Sequence, residues 1–469
     1  MNSNLPRNLL LCACIASALS ACNRDKAADQ PAAPAADAPP AGALTLDETK
    51  LPPFSRFAAG DLDAGAAACA DFNAHVNGKW LAANTIPADR SSWGAAEILA
   101  ERALAVQHQL AEQAAADKGA TGVKKIVGDF WATGMDEAAI NAQGLKPLAQ
   151  ELAAIDALGD QQSIAGYLRA SAAKGEFPLF NFGPGPDFKQ SAMNIAYASQ
   201  GGLGLPDKTY YFDADKKDVR DAYVAHVARI LELGGATPAD AASQSREVMA
   251  FETRLAKASL SEEQLSRDVE LYYHAITPAE ADKLSPNFPW TKFFESQGLA
   301  VPAMFSLSMP AFHQEVSRML ADVPAAQWKT FLRYSTLDGA APYLSEPFVQ
   351  ENFAFHSKTL YGQKEMKPRW KRVLSAINGA ADETMGQLYV QVAFPPESKA
   401  RMEALVANLG TALKTRLENL AWMSDATRQK ALAKHAAFTA KIGYPDKWRD
   451  WSGLATSRDS YLGNVLATQ

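Results

Sequence analysis

Val123, Ile126, Val127, Phe130 and Trp131 stand at the i, i+3, i+4, i+7, i+8 spacing of one apolar helical stripe, and Gly134 stands where a left-handed cap would end it. The same period runs through Met402, Leu405, Val406, Leu409, Leu413, Leu417 and Leu420, and Ser424 is placed to cap a following helix through Lys434. Further helices are predicted over 97–116, 162–174, 219–233, 241–258 and 327–334. One segment departs from this period. Phe177 to Phe182 is an aromatic run, Gly183 to Asp187 breaks it, and Met193, Ile195 and Tyr197 alternate, which predicts a hairpin with a long loop. The pattern therefore predicts a mainly α protein with a little antiparallel sheet.

The N-terminal stretch follows neither period. Arg7 and the apolar run Asn8 to Ser20, too short to span a bilayer and ending in small residues, have the form of a secretory signal. Leu19-Ser20-Ala21-Cys22 resembles the lipobox of bacterial lipoproteins, which implies cleavage before Cys22, acylation of its thiol and, with Asn23 next, the periplasmic side of the outer membrane. The alternative is that Cys22 is one more small residue of an Ala-rich signal. Residues 1–21 are thus expected to be signal and 22–53 an Ala/Pro-rich tether with too little apolar content to order itself. From Phe54 onward no similar stretch or repeat occurs, so 54–469 is expected to fold as one unit or as closely packed lobes. Cys12 and Cys14 would leave with the signal, and Cys69 is left with a missing partner or as a buried free thiol.

Charge narrows the function. The 46 Lys and Arg are scattered among 52 Asp and Glu for a net charge of −6, so the basic footprint of a nucleic-acid binder is missing. A zinc hydrolase of the H-E-x-x-H type needs two histidines four apart on a helix, with a Glu beside the metal-bound water. The seven histidines, His75, His108, His226, His274, His313, His356 and His435, include no such pair. Asp71/His75 and His108/Glu112 have i, i+4 geometry and could share a metal, or serve as surface and capping residues. Ser171-x-x-Lys174 lacks the companion motifs of a serine acyltransferase, G-x-S-x-G is absent, and Gly201 to Gly204 reads as a turn. Lys364, Lys367, Arg369, Lys371 and Arg372 around Trp370 could grip a carboxylate, or form a solvated face where Pro368 starts a helix that buries Trp370 and Val373. The residues offer no catalytic set and no metal site by spacing.

Several anchors occur in a fixed order: Cys69-x-Asp71-Phe72, Val76-Asn77-Gly78-x-Trp80-Leu81, Ile86-Pro87-x-Asp89-Arg90 and Ser92-Trp93-Gly94. Gly128-Asp129-Phe130, Gln200 to Asp207, Ala341 to Leu344, Gly362 to Glu365, Lys367 to Arg372 and Lys441 to Asp446 follow. Together they resemble the neprilysin and endothelin-converting-enzyme family of zinc metallopeptidases, above all its bacterial lipoprotein members. The resemblance implies two largely helical lobes around a cavity that admits small peptides. It implies that this chain holds a large multi-helical cover lobe with a small antiparallel β-hairpin and the first helices of a thermolysin-like catalytic lobe that is otherwise missing. The family's zinc site lies downstream of the segment matched by Ile442 to Pro445, so zinc is implied for the intact family and no cofactor for this chain.

The same resemblance implies that Cys69 pairs with a cysteine near the C-terminus in many relatives. The arginines with which vertebrate members hold a substrate carboxylate match Ser92 and Ala100 here. Arg90 and Arg102 are the nearby substitutes, although Arg90 is also placed to pair with Asp89 or Glu97. With Trp80 and Trp93, which flank an Ile-Pro turn, they are the candidate substrate-cavity or lobe-interface residues. Trp370, Phe394, Trp422 and Trp448 are expected to be buried, and the helices near Trp80 and Leu99 to lack a partner. The expected function is the N-terminal domain of a zinc metalloendopeptidase, inactive alone. Its expected partners are small peptides, the membrane through the lipid anchor, and the missing catalytic domain. A non-catalytic peptide-binding or scaffolding lipoprotein is the alternative, and scattered histidines forming a new metal site are a third reading.

Overall fold

Short polar side chains start many of the helices by accepting from orphan backbone N–H groups. In the computed structural model, which describes residues 43–53 and 57–468, Asp71 accepts from Ala74, Asp160 from Ser163, Thr237 from Asp240 and Ser424 from Thr427. The expected signal and Cys22 lie outside the described residues. The helices that carry the fold are α1 (Phe72–Ala83), α2 (Ala95–Ala116), α3 (Gly122–Met135), α4 (Gln161–Ala173), α5 (Lys217–Leu233), α6 (Pro238–Ala258) and α7 (Pro310–Asp322). They continue with α8 (Ala325–Ala340), α9 (Glu346–Asn352), α10 (Arg369–Ala380), α11 (Asp382–Ala393), α12 (Pro396–Glu418) and α13 (Asp425–Ala436). The periodic stripes thus become helices close to the predicted bounds.

Gly134 does not end its helix. It sits inside α3, where an added Cβ would lie 2.7 Å from Val373 and 2.9 Å from Tyr461, so it permits a close approach of neighbouring elements. The sheet also differs from expectation. Strand β1 (Phe180–Pro186) runs through the Gly-Pro segment read as a loop and pairs antiparallel with β2 (Asn194–Gln200). Two short strands, β3 (Ala275–Ile276) and β4 (Phe305–Leu307), complete the order β1-β2-β4-β3, and the β2–β4 pairing is parallel. Prolines fit β1 because it is an edge strand, where a missing N–H leaves no neighbour unpaired.

Apolar side chains collect into two cores. The first gathers Leu110, Val127, Phe130, Tyr223, Ile230 and Ile377, and the second Phe180, Trp290, Phe293, Phe305 and Phe312. Helices α6 and α8 enter both. Val248 of α6 and Leu337 of α8 lie in the first core, whereas Phe251 of α6 and Trp328 and Phe331 of α8 lie in the second. Phe251 stacks on Phe331 at 4.3 Å between ring centroids, so the two helices form a continuous spine. The distal part of the expected tether is ordered against the first core. Leu44, Leu46 and Leu51 pack there, and the amides of Thr45 and Asp47 each donate to a glutamine of α2, Gln113 and Gln109, at 2.9 Å.

A carboxyl group is buried beside this spine. Glu252 of α6 is 1% exposed and accepts from Tyr211 Oη at 2.6 Å, from Tyr223 Oη at 2.8 Å and from the Gly204 amide at 3.2 Å. Burial drives its pKa up to about 7, and the hydrogen bonds only partly offset that. Gly204 approaches so closely that an added Cβ would fall 1.9 Å from Tyr223 Oη.

Helices α12 and α13 are different. Neither α12 nor α13 has a fully buried residue; of the predicted stripe Met402, Leu405, Leu409 and Leu413 are exposed and Val406, Leu417 and Leu420 half-buried. Trp422, expected to be buried, is 78% exposed, and Phe438 is equally open. Phe72 and Leu81 on α1 and Leu99 near the start of α2 are exposed as well, although further along α2 Val106, Leu110, Ala111 and Ala114 are buried.

Two outcomes follow from the Glu252 site. A carboxyl whose folded pKa lies above its ordinary 4.5 contributes stability that is complete below pH 4.5 and is lost as pH rises through about 7. The native chain should therefore lose up to about 3 kcal/mol from this group between pH 5 and pH 8. Glu252→Gln should flatten that slope in urea titrations, and an unchanged slope would contradict it. Gly204→Ala should lower stability by about 1–3 kcal/mol through overpacking against Tyr223, an effect that an unshifted urea midpoint would refute.

Candidate functional site

The segment from Trp80 to Arg102 is fixed by ionic contacts with α10. Trp80 is half-buried on α1, and its carbonyl accepts from the Asn84 side chain at 2.8 Å. Beyond the Ile86-Pro87 turn, the Ala88 carbonyl accepts from the amides of Lys364 and Glu365 at 3.1 and 2.9 Å. Arg90 forms an ion pair with Glu101, both side chains mostly enclosed, and its guanidinium lies 5.8 Å from the Trp93 ring centroid. Lys371 of α10 joins the same carboxylate at 2.8 Å and approaches Asp89 at 3.7 Å.

The expected pairing of Arg90 with Asp89 or Glu97 is therefore corrected. Glu101, one turn further along α2, takes the guanidinium, and Glu97 instead accepts from Ser92 Oγ at 2.8 Å. Arg102 turns away and donates to the Pro52 carbonyl at 2.8 Å. Arg90 and Trp93 thus share one network with Asp89, Glu101 and Lys371, while Arg102 anchors the ordered end of the tether. Arg90 is charge-compensated by Glu101, which also takes Lys371, so the pair joins α2, α10 and the turn.

The basic cluster on α10 is likewise only partly a solvated face. Lys364 and Lys367 are exposed, but Arg369 donates to the Gly134 carbonyl at 2.6 Å and pairs with Glu137 at 3.3 Å. Burial lowers the pKa of Lys371 against the pull of Asp89. Val373 is buried as expected, and the half-buried Trp370 stacks on His108 with centroids 4.5 Å apart. Phe394 and Trp448 are half-buried rather than buried. They line an open cleft of 540 Å³ with Tyr389, Tyr444 and Gln107.

Four of the histidines have plain structural roles. Nδ1 of His75 contacts the carbonyls of Asp63 and Ala66 at 3.0 and 2.8 Å, while Asp71 caps α1, so this pair shares no ligand point. His108 is 3.4 Å from Glu112 and is held between Trp370 and Trp131. His435 of α13 contacts the Gly410 carbonyl of α12 at 2.9 Å. His313 is buried against the Ala198 carbonyl, and burial pushes its pKa down to about 4. Lys174 of the Ser-x-x-Lys pattern pairs with Glu151 at 2.9 Å, and Ser171 is buried. Cys69 is an exposed free thiol.

His226 and His356 behave differently. His226 of α5 is buried with Nδ1 2.8 Å from Glu351 of α9 and Nε2 3.0 Å from Asp338 of α8. The other oxygen of Asp338 lies 3.0 Å from His356 Nε2. Burial opposes charge on the His226 ring, but its hydrogen bonds to Asp338 and Glu351 hold its pKa above the usual value. Burial likewise opposes ionisation of Asp338, yet the two histidines keep its carboxyl far below the usual range. His226, Asp338 and His356 are the described group of three whose donor atoms all lie within 4.8 Å of one another. Sequence spacing could not find them, because helix packing rather than a local motif brings them together.

Comparison with known proteins now fits this architecture. A model of peptidase family M13, covering its N-terminal part, matches residues 68–445. Endothelin-converting enzyme 1 of Mus musculus is 27% identical over 399 residues, which cover 81% of this chain and 50% of that protein. The crystal structure of the Mycobacterium tuberculosis zinc metalloprotease ZMP1 in complex with an inhibitor is 35% identical with a TM-score of 0.80, over 87% of this chain and 62% of that one. PEPO from Lactobacillus rhamnosis shares the fold at 22% identity, with a TM-score of 0.76 over 85% of this chain and 64% of that one. The chain thus spans about half the length of the curated relatives it matches. Its histidines do not supply the H-E-x-x-H pair that zinc of this peptidase type requires. By the extent of the family match and the shared helical architecture, the chain belongs to peptidase family M13.

Proposed function

We propose that this chain forms the cover lobe and the first framework helices of an exported zinc metalloendopeptidase that acts on small peptides. In this reading the zinc ligands are carried by a catalytic segment that packs against α1, α12 and α13. The observation that carries it is the exposed stripe Met402, Leu405, Leu409 and Leu413, continued by Trp422 and Phe438. A helix with a regular apolar stripe and no partner is an interface awaiting one. Covering those four α12 side chains would contribute on the order of 5 kcal/mol, since full burial of each is worth about 1.5–3 kcal/mol and each is already partly covered.

Bound zinc in this family supplies a Lewis acid and an activated water for amide hydrolysis. The present chain contributes enclosure and position. The Arg90–Glu101–Lys371 network holds the Trp93 turn against α10. Lipid attachment at Cys22 would keep the enzyme at the periplasmic face of the outer membrane, consistent with the lipobox-like sequence.

The purified chain, supplied with zinc, should leave a quenched fluorescent oligopeptide intact, and should gain cleavage when an H-E-x-x-H-bearing segment of an M13 relative is supplied in trans. Chelator-sensitive cleavage by the chain alone would overturn the proposal. Retention of peptide without any gain of cleavage would favour the peptide-binding alternative. Leu405→Glu with Leu409→Glu should reduce self-association of the isolated chain in sedimentation experiments and leave its melting temperature within a few degrees. Unchanged association would count against the exposed stripe as an interface.

A further inference from the structure

We propose that His226, Asp338 and His356 form a binding site for one divalent transition-metal ion of the zinc class. The donor set is two imidazoles and a carboxylate, a combination suited to such ions. Each imidazole Nε2 lies 3.0 Å from an oxygen of Asp338. Zinc ligands at about 2.0–2.1 Å in tetrahedral array are about 3.3 Å apart, so a side-chain adjustment within this cluster, whose donor atoms all lie within 4.8 Å of one another, would admit the ion.

The surroundings fit a ligand site in three further respects. Glu351 accepts from Nδ1 of His226 at 2.8 Å, which keeps a proton on that nitrogen, so that an ion displacing the Nε2 proton, now shared with Asp338, would meet a correctly oriented ligand atom. A carboxylate behind a ligating histidine is the usual supporting partner of a metal ligand. The His226 ring is also locked by stacking on Phe355, with centroids 4.7 Å apart. His356 is presented by a π-helical segment, Phe353–Thr359, and such wide turns occur often at functional sites.

Finally, access exists on one side. His226 is enclosed, but the side chains of Asp338 and His356 are 16% and 29% exposed. An ion could enter past His356 and keep water as its remaining ligand. Three donors with an open fourth position are compatible with a single bound ion. The site uses residues of α5, α8 and the π-helical segment, so metal binding would tie the turn after α9 to the spine.

The test uses the full chain, stripped with a chelator, dialysed against limiting Zn²⁺ and counted by elemental analysis, with Co²⁺ absorption as an independent report on the ligand set. One ion per chain is expected. His356→Gln, the most exposed of the three positions, and Asp338→Asn should each weaken retention at least tenfold, and Glu351→Gln should weaken it about 10- to 100-fold. His435→Gln should leave retention unchanged. Circular dichroism and melting are used to check that His356→Gln is folded, and that variant then decides the matter even if Asp338→Asn does not fold. Failure of the wild-type chain to retain an ion, or equal retention by wild type and His356→Gln, would overturn the site and leave the cluster as a proton-bridged ion pair.

Discussion

The fold rests on the need to cover apolar helical faces, and the spine of α6 and α8 meets that need twice. Phe251 and Phe331 stack across it in one core, while Val248 and Leu337 fill the other. Because both helices enter both cores, neither core can loosen without disturbing the other. Large buried rings are each worth several kcal/mol when truncated, so the spine sets the stability of the described structure. Helix α12 presents the contrast: it has the same period, and Met402, Leu405, Leu409 and Leu413 of its apolar stripe are exposed.

Polar groups buried against the spine sharpen this picture. Glu252 is tied to two tyrosines and a glycine amide, and Asp338 is bracketed by two histidines. In a low-dielectric interior such groups are costly unless fully partnered, so they hold neighbouring elements in one arrangement. Glu252 locks the Gly204 loop to α5 and α6. The histidine and carboxylate cluster locks α5, α8, α9 and the π-helical segment to one another. The family match places this framework in M13 peptidases, and the cluster of His226, Asp338 and His356 lies within it.

Helix period was the legible part of the sequence: α2 to α6, α12 and α13 were predicted close to their bounds and α8 in part, whereas α7 was not. What spacing could not separate were different causes of the same residue. Gly134 has the appearance of a cap, but it allows α3 to meet Val373 and Tyr461. Pro184 and Pro186 look like loop residues, yet an edge strand tolerates them. Trp422 looks like core and is open, since burial depends on what lies opposite. In the candidate site, Trp93 and Arg90 were legible from the anchor motifs, whereas Glu101 and Lys371 became their partners only through the packing of α2 on α10. His226, Asp338 and His356 are far apart in sequence and carried no local signal at all.

The proposal turns on whether the exposed apolar side chains of α1 and α12 are covered by a catalytic segment. Hydrogen exchange by mass spectrometry, on the chain alone and mixed with the H-E-x-x-H-bearing segment of an M13 relative, tests it most directly. The account predicts new protection over 72–83 and 396–436 and no change over the spine helix 325–340. Protection confined to other regions, or none on mixing, would contradict it.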